Sequence, residues 1–261
     1  MMLQRVRARL ERRILINYRV DQEVAAKLIP DPFRPLTVAG YAVAGVCLIR
    51  LGDFRPAGVP AIARLTTENA AHRFAVQWDT ADGPRTGVWI PRRDTSSPLV
   101  ALVGGRVFPG WHHLARFETD ETGERYALAM ASDDGEVTIR VSGEVSDYLP
   151  PASVFADLAT ASRFYGCAPA GFSARRHGGF DGVELASQGW NLVPLAIDEV
   201  SSSYFGGPRF PPGSIALDSA FLMRNLDTTW SALPRDFVPD LSRLGELSWR
   251  RRSQYDRRVT N

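Results

Sequence analysis

A β-hairpin pattern constrains the fold of this chain more than any other feature. Residues 68–79 alternate apolar and polar side chains, and the apolar positions towards the end are Phe74, Val76 and Trp78. Residues 82–84 read Asp-Gly-Pro, which is a turn sequence, and 86–91 return as a second strand-like run. Alternation at period two is typical of a strand, and the intervening turn predicts antiparallel pairing of the two strands.

Other strand and helix signals follow the same logic. Further strands are expected at 38–51, 111–117, 126–131, 136–145, 172–176, 182–186, 190–202 and 214–224. Helices are expected at 3–16, 21–29, 98–103 and 153–165, with Ser96 or Ser97 capping the third one ahead of Pro98. This pattern predicts a mainly β (α+β) fold: an antiparallel, closed or barrel-like sheet with a few peripheral helices.

Length and composition suit one sizeable domain. The chain has 261 residues and a net charge of +2, and we expect a single domain over 1–242 followed by a basic tail at 243–261. Residues 1–13 form a second basic segment. Two distant cysteines, and the lack of a signal-like or spanning apolar run, predict a reduced, cytoplasmic protein without membrane association. The basic ends are either solvated or the contact points of an acidic partner.

The lysine content limits the possible chemistry. Lys27 is the only lysine in the sequence. A mechanism that needs a nucleophilic side-chain amine therefore has this residue and no other. The histidines and cysteines lack zinc-ligand spacing, and no phosphate-binding loop is present, so we expect neither a metal nor a cofactor. No interleaving of aromatic and basic residues suggests nucleic-acid binding.

The order of several short motifs resembles a known group of proteins. The motifs are Tyr18–Pro30, Glu68 with His72 and Phe74, Gly87-Val88-Trp89, Phe108-Pro109 and Ser219–Arg224. They are similar to an uncharacterised YqjF-like family in the acetoacetate decarboxylase-like superfamily, over roughly residues 12–230. The resemblance implies a closed or conical antiparallel sheet around an internal cavity, with helices outside.

The resemblance also bears on activity. In the decarboxylase proper, a Schiff-base lysine beside a second lysine follows the Phe-Pro type of turn. Here Gly110, Trp111, His112 and His113 follow it, and imidazole cannot form an imine with a ketone. We therefore expect no Schiff-base decarboxylase activity.

The candidate site combines a carboxylate with a histidine. Glu68 shares its strand face with the apolar residues of 68–79, so we expect it on the polar wall of the cavity with either His112 or His113, which point to opposite faces. His72 shares the face of Glu68, and Arg224 is an alternative anion anchor. Trp89 and Trp190 are expected to supply the apolar wall, although core packing is the default role of aromatic residues in strands.

Three functions remain compatible with the sequence. The first is a cavity that binds a small apolar or carbonyl-bearing organic acid, with or without a reaction. The second is an interaction module that uses the basic ends. The third is a lysine-independent lyase or hydrolase that uses Glu68 with a histidine. A small molecule is the expected partner, and the sequence is compatible with a homo-oligomer.

Overall fold

The computed structural model describes residues 5–56, 66–167, 169–176, 178–187, 189–234 and 237. Most of these residues lie in strands. The strands are β1 (Arg5–Asp21), β2 (Arg34–Pro35), β3 (Thr37–Val38), β4 (Tyr41–Pro56), β5 (Thr67–Thr80), β6 (Gly83–Thr95), β7 (His113–Thr122), β8 (Arg125–Ser132), β9 (Thr138–Val145), β10 (Ala170–Ala174), β11 (Phe180–Ser187), β12 (Val193–Ser202) and β13 (Ile215–Ala232). The helices are α1 (Gln22–Leu28), α2 (Pro98–Val103) and α3 (Leu158–Gly166).

Strand pairing closes the sheet into two rings. The larger ring runs through β1, β4, β5, β6, β7, β8, β9, β12 and β13 and returns to β1. The smaller ring runs through β1, β4, β5, β6, β10, β11 and β13. The two rings share the strands β13, β1, β4, β5 and β6, which we call the common wall. The prediction of a mainly β, closed, barrel-like sheet is confirmed.

The sheet is antiparallel with two exceptions among the described strands. β6 pairs in parallel with β7 and with β10, in each case over two residue pairs. Both contacts are made by the edge of β6 that does not pair with β5, where each ring is closed by a strand from elsewhere in the chain. The antiparallel prediction is therefore right for the hairpins and wrong at these two closures.

The larger ring is filled by side chains. Even-numbered residues of β1, β4 and β5, among them Ile14, Leu48 and Phe74, point into it and are almost fully buried. Trp78 and Trp89 belong to the same core. Dispersion contacts and burial of this much apolar surface supply the main stabilisation of the fold.

Odd-numbered residues of β1, β4 and β5, such as Leu15 and Cys47, face the smaller ring, and part of this face is covered by α3. Phe155, Ala161 and Tyr165 of the α3 segment pack on Leu15 and Phe221 of the wall. α3 begins at Leu158, because the carboxylate of Asp157 accepts a hydrogen bond from the backbone N–H of Thr160. The predicted helix over 153–165 is therefore present, but it begins five residues later than expected.

Two local predictions have different outcomes. Ser97 caps α2 as expected, because its side chain accepts a hydrogen bond from the backbone N–H of Val100. The predicted helix over 3–16 is wrong, since β1 begins at Arg5. Arg5, Arg7 and Arg9 are exposed while the residues between them are buried, which is the period-two pattern of a strand.

The chain ends lie partly outside the described residues. The basic tail at 243–261 lies wholly outside them. In the part of the chain that the structure describes, no helix is long and apolar enough to cross a membrane.

Candidate functional site

The smaller ring holds a pocket of about 470 Å³, which we call the arginine pocket. Every strand of that ring and the helix α3 contribute lining residues. The polar side chains in the lining are those of Arg13, Cys47, Arg73, Arg93, Tyr165, Trp190 and Trp230, together with Glu184 and Ser187. Gly166, Pro169 and Glu184 are lining residues that are also exposed, so the pocket opens to solvent beside them.

The three arginines come from three strands of the common wall, and β4 lies between the first of these strands and the other two. Arg13 lies on β1, Arg73 on β5 and Arg93 on β6. Arg73 donates hydrogen bonds to the side chains of Asn17 and Cys47, and its guanidinium lies 5.0 Å from the ring centroid of Tyr165. Its side chain is thereby held in one position.

The other two guanidiniums have donors to spare. Nε and Nη1 of Arg13 are buried without a hydrogen-bond partner in the described structure, and the guanidinium lies 5.3 Å from the ring centroid of Trp190. Nε of Arg93 donates to Ser173 at 3.0 Å, and burial lowers the pKa of Arg93 to about 10. Among the described residues, neither they nor Arg73 come within 4.0 Å of a carboxylate.

A thiol lies between two of these arginines. Sγ of Cys47 accepts a hydrogen bond from Nε of Arg73 at 3.0 Å and is 3.5 Å from Nη2 of Arg13. Burial opposes ionisation of the thiol, but the two positive charges and their hydrogen bonds outweigh it. The pKa of Cys47 therefore lies below its ordinary value.

A smaller pocket of about 110 Å³ adjoins the first, and both are lined by Arg93. His112 lines the smaller one and its Nδ1 lies 3.1 Å from the carbonyl oxygen of Gly110. Burial, together with the charge of Arg93, lowers the pKa of His112 to about 3, so the imidazole is neutral near pH 7.

The turn that follows α2 needs its glycine. Gly110 has a φ of +93°, and a Cβ added there would come within 2.9 Å of Nε of Arg93. Glycine both tolerates this backbone conformation and lets the Arg93 guanidinium lie against the chain. The Phe-Pro-Gly turn singled out in the sequence thus fixes the position of Arg93 and of His112.

Two of the residues predicted for the site line these pockets. Trp190 lines the arginine pocket and His112 the smaller one. His113, the neighbour of His112, lies on the surface, where its Nδ1 is 2.9 Å from a carboxylate oxygen of Asp134. The expectation that one histidine of the pair faces inwards and the other outwards agrees with this placement.

The remaining predicted residues lie elsewhere. Trp89 and His72 are buried in the larger ring, and both ring nitrogens of His72 have no partner among the described residues. Arg224 is exposed and donates to the hydroxyl of Tyr126 at 2.7 Å. Glu68 forms ion pairs with Arg12 and Arg50 and does not line either pocket.

The predicted pairing of Glu68 with a histidine is therefore not present. Glu68 does share the face of Phe74 and Trp78, as its even spacing predicted, but that face belongs to the filled larger ring. Arg13, Arg73, Arg93 and Cys47 were not anticipated. Of these four, only Cys47 stands between two apolar residues, Val46 and Leu48, so the sequence carries no signal that the four have in common.

Solved structures with the same architecture are acetoacetate decarboxylase-like proteins. Acetoacetate decarboxylase from Legionella pneumophila is 11% identical with a TM-score of 0.56, over 89% of this chain and 88% of that one. The enduracididine biosynthesis enzyme MppR, complexed with pyruvate, is 12% identical with a TM-score of 0.54, over 90% and 92%. An acetoacetate decarboxylase-like enzyme from Sphingomonas wittichii RW1 is 15% identical with a TM-score of 0.52, over 90% and 94%.

At these identities the likeness shows the fold, which is acetoacetate decarboxylase-like. The family is shown by sequence: residues 7–213 match DUF2071, an uncharacterized conserved protein (COG2071), and the chain belongs to that family. The resemblance to an uncharacterised family is confirmed by this match, and the expected acetoacetate decarboxylase-like fold by the solved structures. A search of the curated proteins gave no significant match.

Proposed function

We propose that this protein binds small organic acids in the arginine pocket, with the carboxylate held by the guanidiniums of Arg13 and Arg93. The observation that carries this proposal is that the pocket contains three arginines and that, within the described residues, no carboxylate pairs with them. A buried charge without a partner costs several kcal/mol. An anionic ligand offsets that cost because it supplies the missing counter-charge.

The rest of the lining supports a small ligand with an apolar part. Ile49, Val88, Ile90 and Val183 surround the arginines with hydrocarbon surface. The volume of about 470 Å³ lies within the range of roughly 300–1,000 Å³ that is typical of small-molecule sites. An apolar or carbonyl-bearing acid satisfies both parts of such a lining, whereas a large or polyanionic ligand does not.

The proposal does not include Schiff-base decarboxylation. Lys27, the only lysine of the sequence, lies exposed on α1 and does not line either pocket. Incubation with acetoacetate and borohydride, followed by mass spectrometry, is expected to give no covalent adduct. A stoichiometric adduct on Lys27 would overturn this part of the proposal.

The binding function is tested with pairs of acids and amides of the same shape. Isothermal titration of hexanoate against hexanamide, and of pyruvate against pyruvamide, is expected to give at least tenfold tighter binding of each acid. Arg13→Gln and Arg93→Gln are expected to weaken acid binding at least tenfold, because each removes a charge-assisted hydrogen bond worth about 1.5–3 kcal/mol.

The control is an arginine outside the pocket. Arg34 is exposed and pairs with Asp79 at 2.9 Å, so Arg34→Gln removes the same charge and is expected to leave acid binding unchanged. Equal affinity for acids and amides, or equal loss in the Arg34 and Arg13 variants, would contradict the proposal.

A further inference from the structure

The arginine pocket contains a nucleophile as well as an anion anchor. Sγ of Cys47 lies on the pocket wall, within 3.0 Å of Nε of Arg73 and 3.5 Å of Nη2 of Arg13. A carboxylate bound by the spare donors of Arg13 would lie beside this sulfur. A thiol that only fills a core is surrounded by apolar groups, whereas Cys47 has two guanidinium neighbours and an open space in front of it.

A second group in the pocket also has a donor to spare. Tyr165 is 8% exposed, and its hydroxyl oxygen lies near the guanidinium of Arg73, which can only donate, so the hydroxyl proton has no acceptor among the described residues. It lines the same pocket as Cys47, and burial raises its pKa to about 12, so it is a neutral hydrogen-bond donor at pH 7. A buried hydroxyl proton without an acceptor is uncommon in folded proteins and points to an acceptor that the ligand supplies.

We propose that Cys47 adds reversibly to the electrophilic carbon of a 2-oxo acid bound in the arginine pocket. The inference rests on the proposed acid-binding function. Because Sγ lies 3.5 Å from Nη2 of Arg13, which holds the carboxylate together with Arg93, the carbon nearest to the sulfur is the one attached directly to that carboxylate. A 2-oxo acid has its carbonyl carbon at that place.

The addition conserves atoms and electrons. A lone pair of the Cys47 thiolate forms the C–S bond, the π pair of the carbonyl moves to its oxygen, and that oxygen takes a proton from water at the pocket mouth. The product is a hemithioketal, and the reverse steps release the acid unchanged. The arginines stabilise the thiolate before attack, and the Tyr165 hydroxyl donates a hydrogen bond to an oxygen of the ligand.

The first experiment uses the unmodified protein and an irreversible probe of the same shape. Iodoacetate carries its electrophilic carbon next to a carboxylate, and iodoacetamide is its uncharged counterpart. Alkylation of Cys47 is followed by peptide mass spectrometry, and Cys167, which is exposed, serves as the internal control. The alkylation rate with iodoacetate is divided by the alkylation rate with iodoacetamide for each cysteine. This ratio is expected to be at least tenfold higher at Cys47 than at Cys167.

Variants test the role of the arginine. Arg13→Gln is expected to lower that ratio at least fivefold at Cys47 and to leave Cys167 unchanged. Arg34→Gln is expected to change neither. Pyruvate is expected to protect Cys47 but not Cys167 from iodoacetate.

The adduct itself is observed with pyruvate labelled with carbon-13 at the carbonyl carbon. In the wild-type protein, the carbon-13 signal of bound pyruvate is expected to move from the carbonyl region to that of a tetrahedral carbon. In Cys47→Ser, the signal is expected to stay in the carbonyl region. Acid binding by Cys47→Ser, measured by titration, separates the two proposals. If acids bind but Cys47 shows no preference for iodoacetate, or no tetrahedral carbon forms, the nucleophile proposal is overturned and the binding function stands. If acids do not bind at all, both proposals are overturned.

Discussion

The two rings share one wall and use its two faces differently. Leu48 and Ile49 are neighbours on β4, yet Leu48 is fully buried in the larger ring and Ile49 borders the arginine pocket. One face is buried among apolar side chains, and the other leaves space, three charges and a thiol. The comparison shows that a strand buried on both faces can stabilise the fold with one set of side chains and line a pocket with the other.

The largest expected effect tests whether the faces differ in packing. Leu48→Ala is expected to lower the free energy of unfolding by about 3–5 kcal/mol, because it leaves a cavity in a closed core. Ile49→Ala, its matched control, is expected to cost about 2 kcal/mol or less, since its side chain already borders open space. Urea denaturation measures both. Equal losses would mean that the pocket face is packed as tightly as the core face.

A second prediction concerns the pH dependence of the filled ring. His72 is fully buried there, and burial first, then the charges of Arg92 and Arg209, lower its pKa to about 3. The unfolded chain binds this proton near pH 6.5. The stability that His72 contributes is thus present above pH 6.5 and is lost as the pH falls towards 3.

The free energy of unfolding is expected to fall by about 1.4 kcal/mol for each pH unit of acidification because of this one group. His72→Phe is expected to remove that slope between pH 6.5 and 4.5, because neither ring nitrogen of His72 has a partner to lose. Denaturation midpoints at four pH values measure it, and His113→Phe, at an exposed site, is expected to change the slope less. A wild-type slope in the His72 variant would refute the assignment.

The third prediction, which has the smallest expected effect, tests whether Glu68 stabilises the larger ring or takes part in ligand binding. Glu68→Gln is expected to cost about 2 kcal/mol, because it weakens the ion pair of Arg12, a residue only 2% exposed that keeps Glu121 as its second partner. Glu144→Gln, in the exposed pair with Arg125, is expected to cost less than about 1 kcal/mol. Carboxylate binding is expected to be unchanged in both variants. Loss of carboxylate binding in Glu68→Gln, but not in Glu144→Gln, would show that Glu68 belongs to the binding site.

The hairpins were predictable because period-two alternation and turn residues are local signals. The helix over 3–16 was predicted wrongly because its apolar residues have helix-like spacing. The alternation of arginines with apolar residues at 5–10 was the better signal, since it is typical of a strand. The even spacing correctly predicted that Glu68 lies on the same strand face as Phe74 and Trp78. Which face of the wall lines the pocket was not readable, because both faces are buried and the sequence of one strand does not tell them apart.

The arginine pocket could not be predicted for a related reason. Arg13, Arg73 and Arg93 are far apart in sequence and meet only through pairing of β1 with β4, β4 with β5 and β5 with β6. The pairing register places Asn17 opposite Gly45 and Gly45 opposite Arg73, so that the amide reaches the guanidinium across the glycine. Such cross-strand neighbours become visible only when the register is known.

The place of β1 in the common wall has a consequence for how the protein is made. β1 pairs on one edge with β4 and on the other with β13, so that Ile14 lies opposite Leu222. On the ribosome, β1 is therefore complete about 200 residues before its second partner, with an unpaired edge and apolar residues on both faces. Pairing across so long a separation is slow, and an unpaired edge invites association with other chains. Neither ring can close until β13 has been synthesised, which makes the interval before its release the period of greatest risk of aggregation.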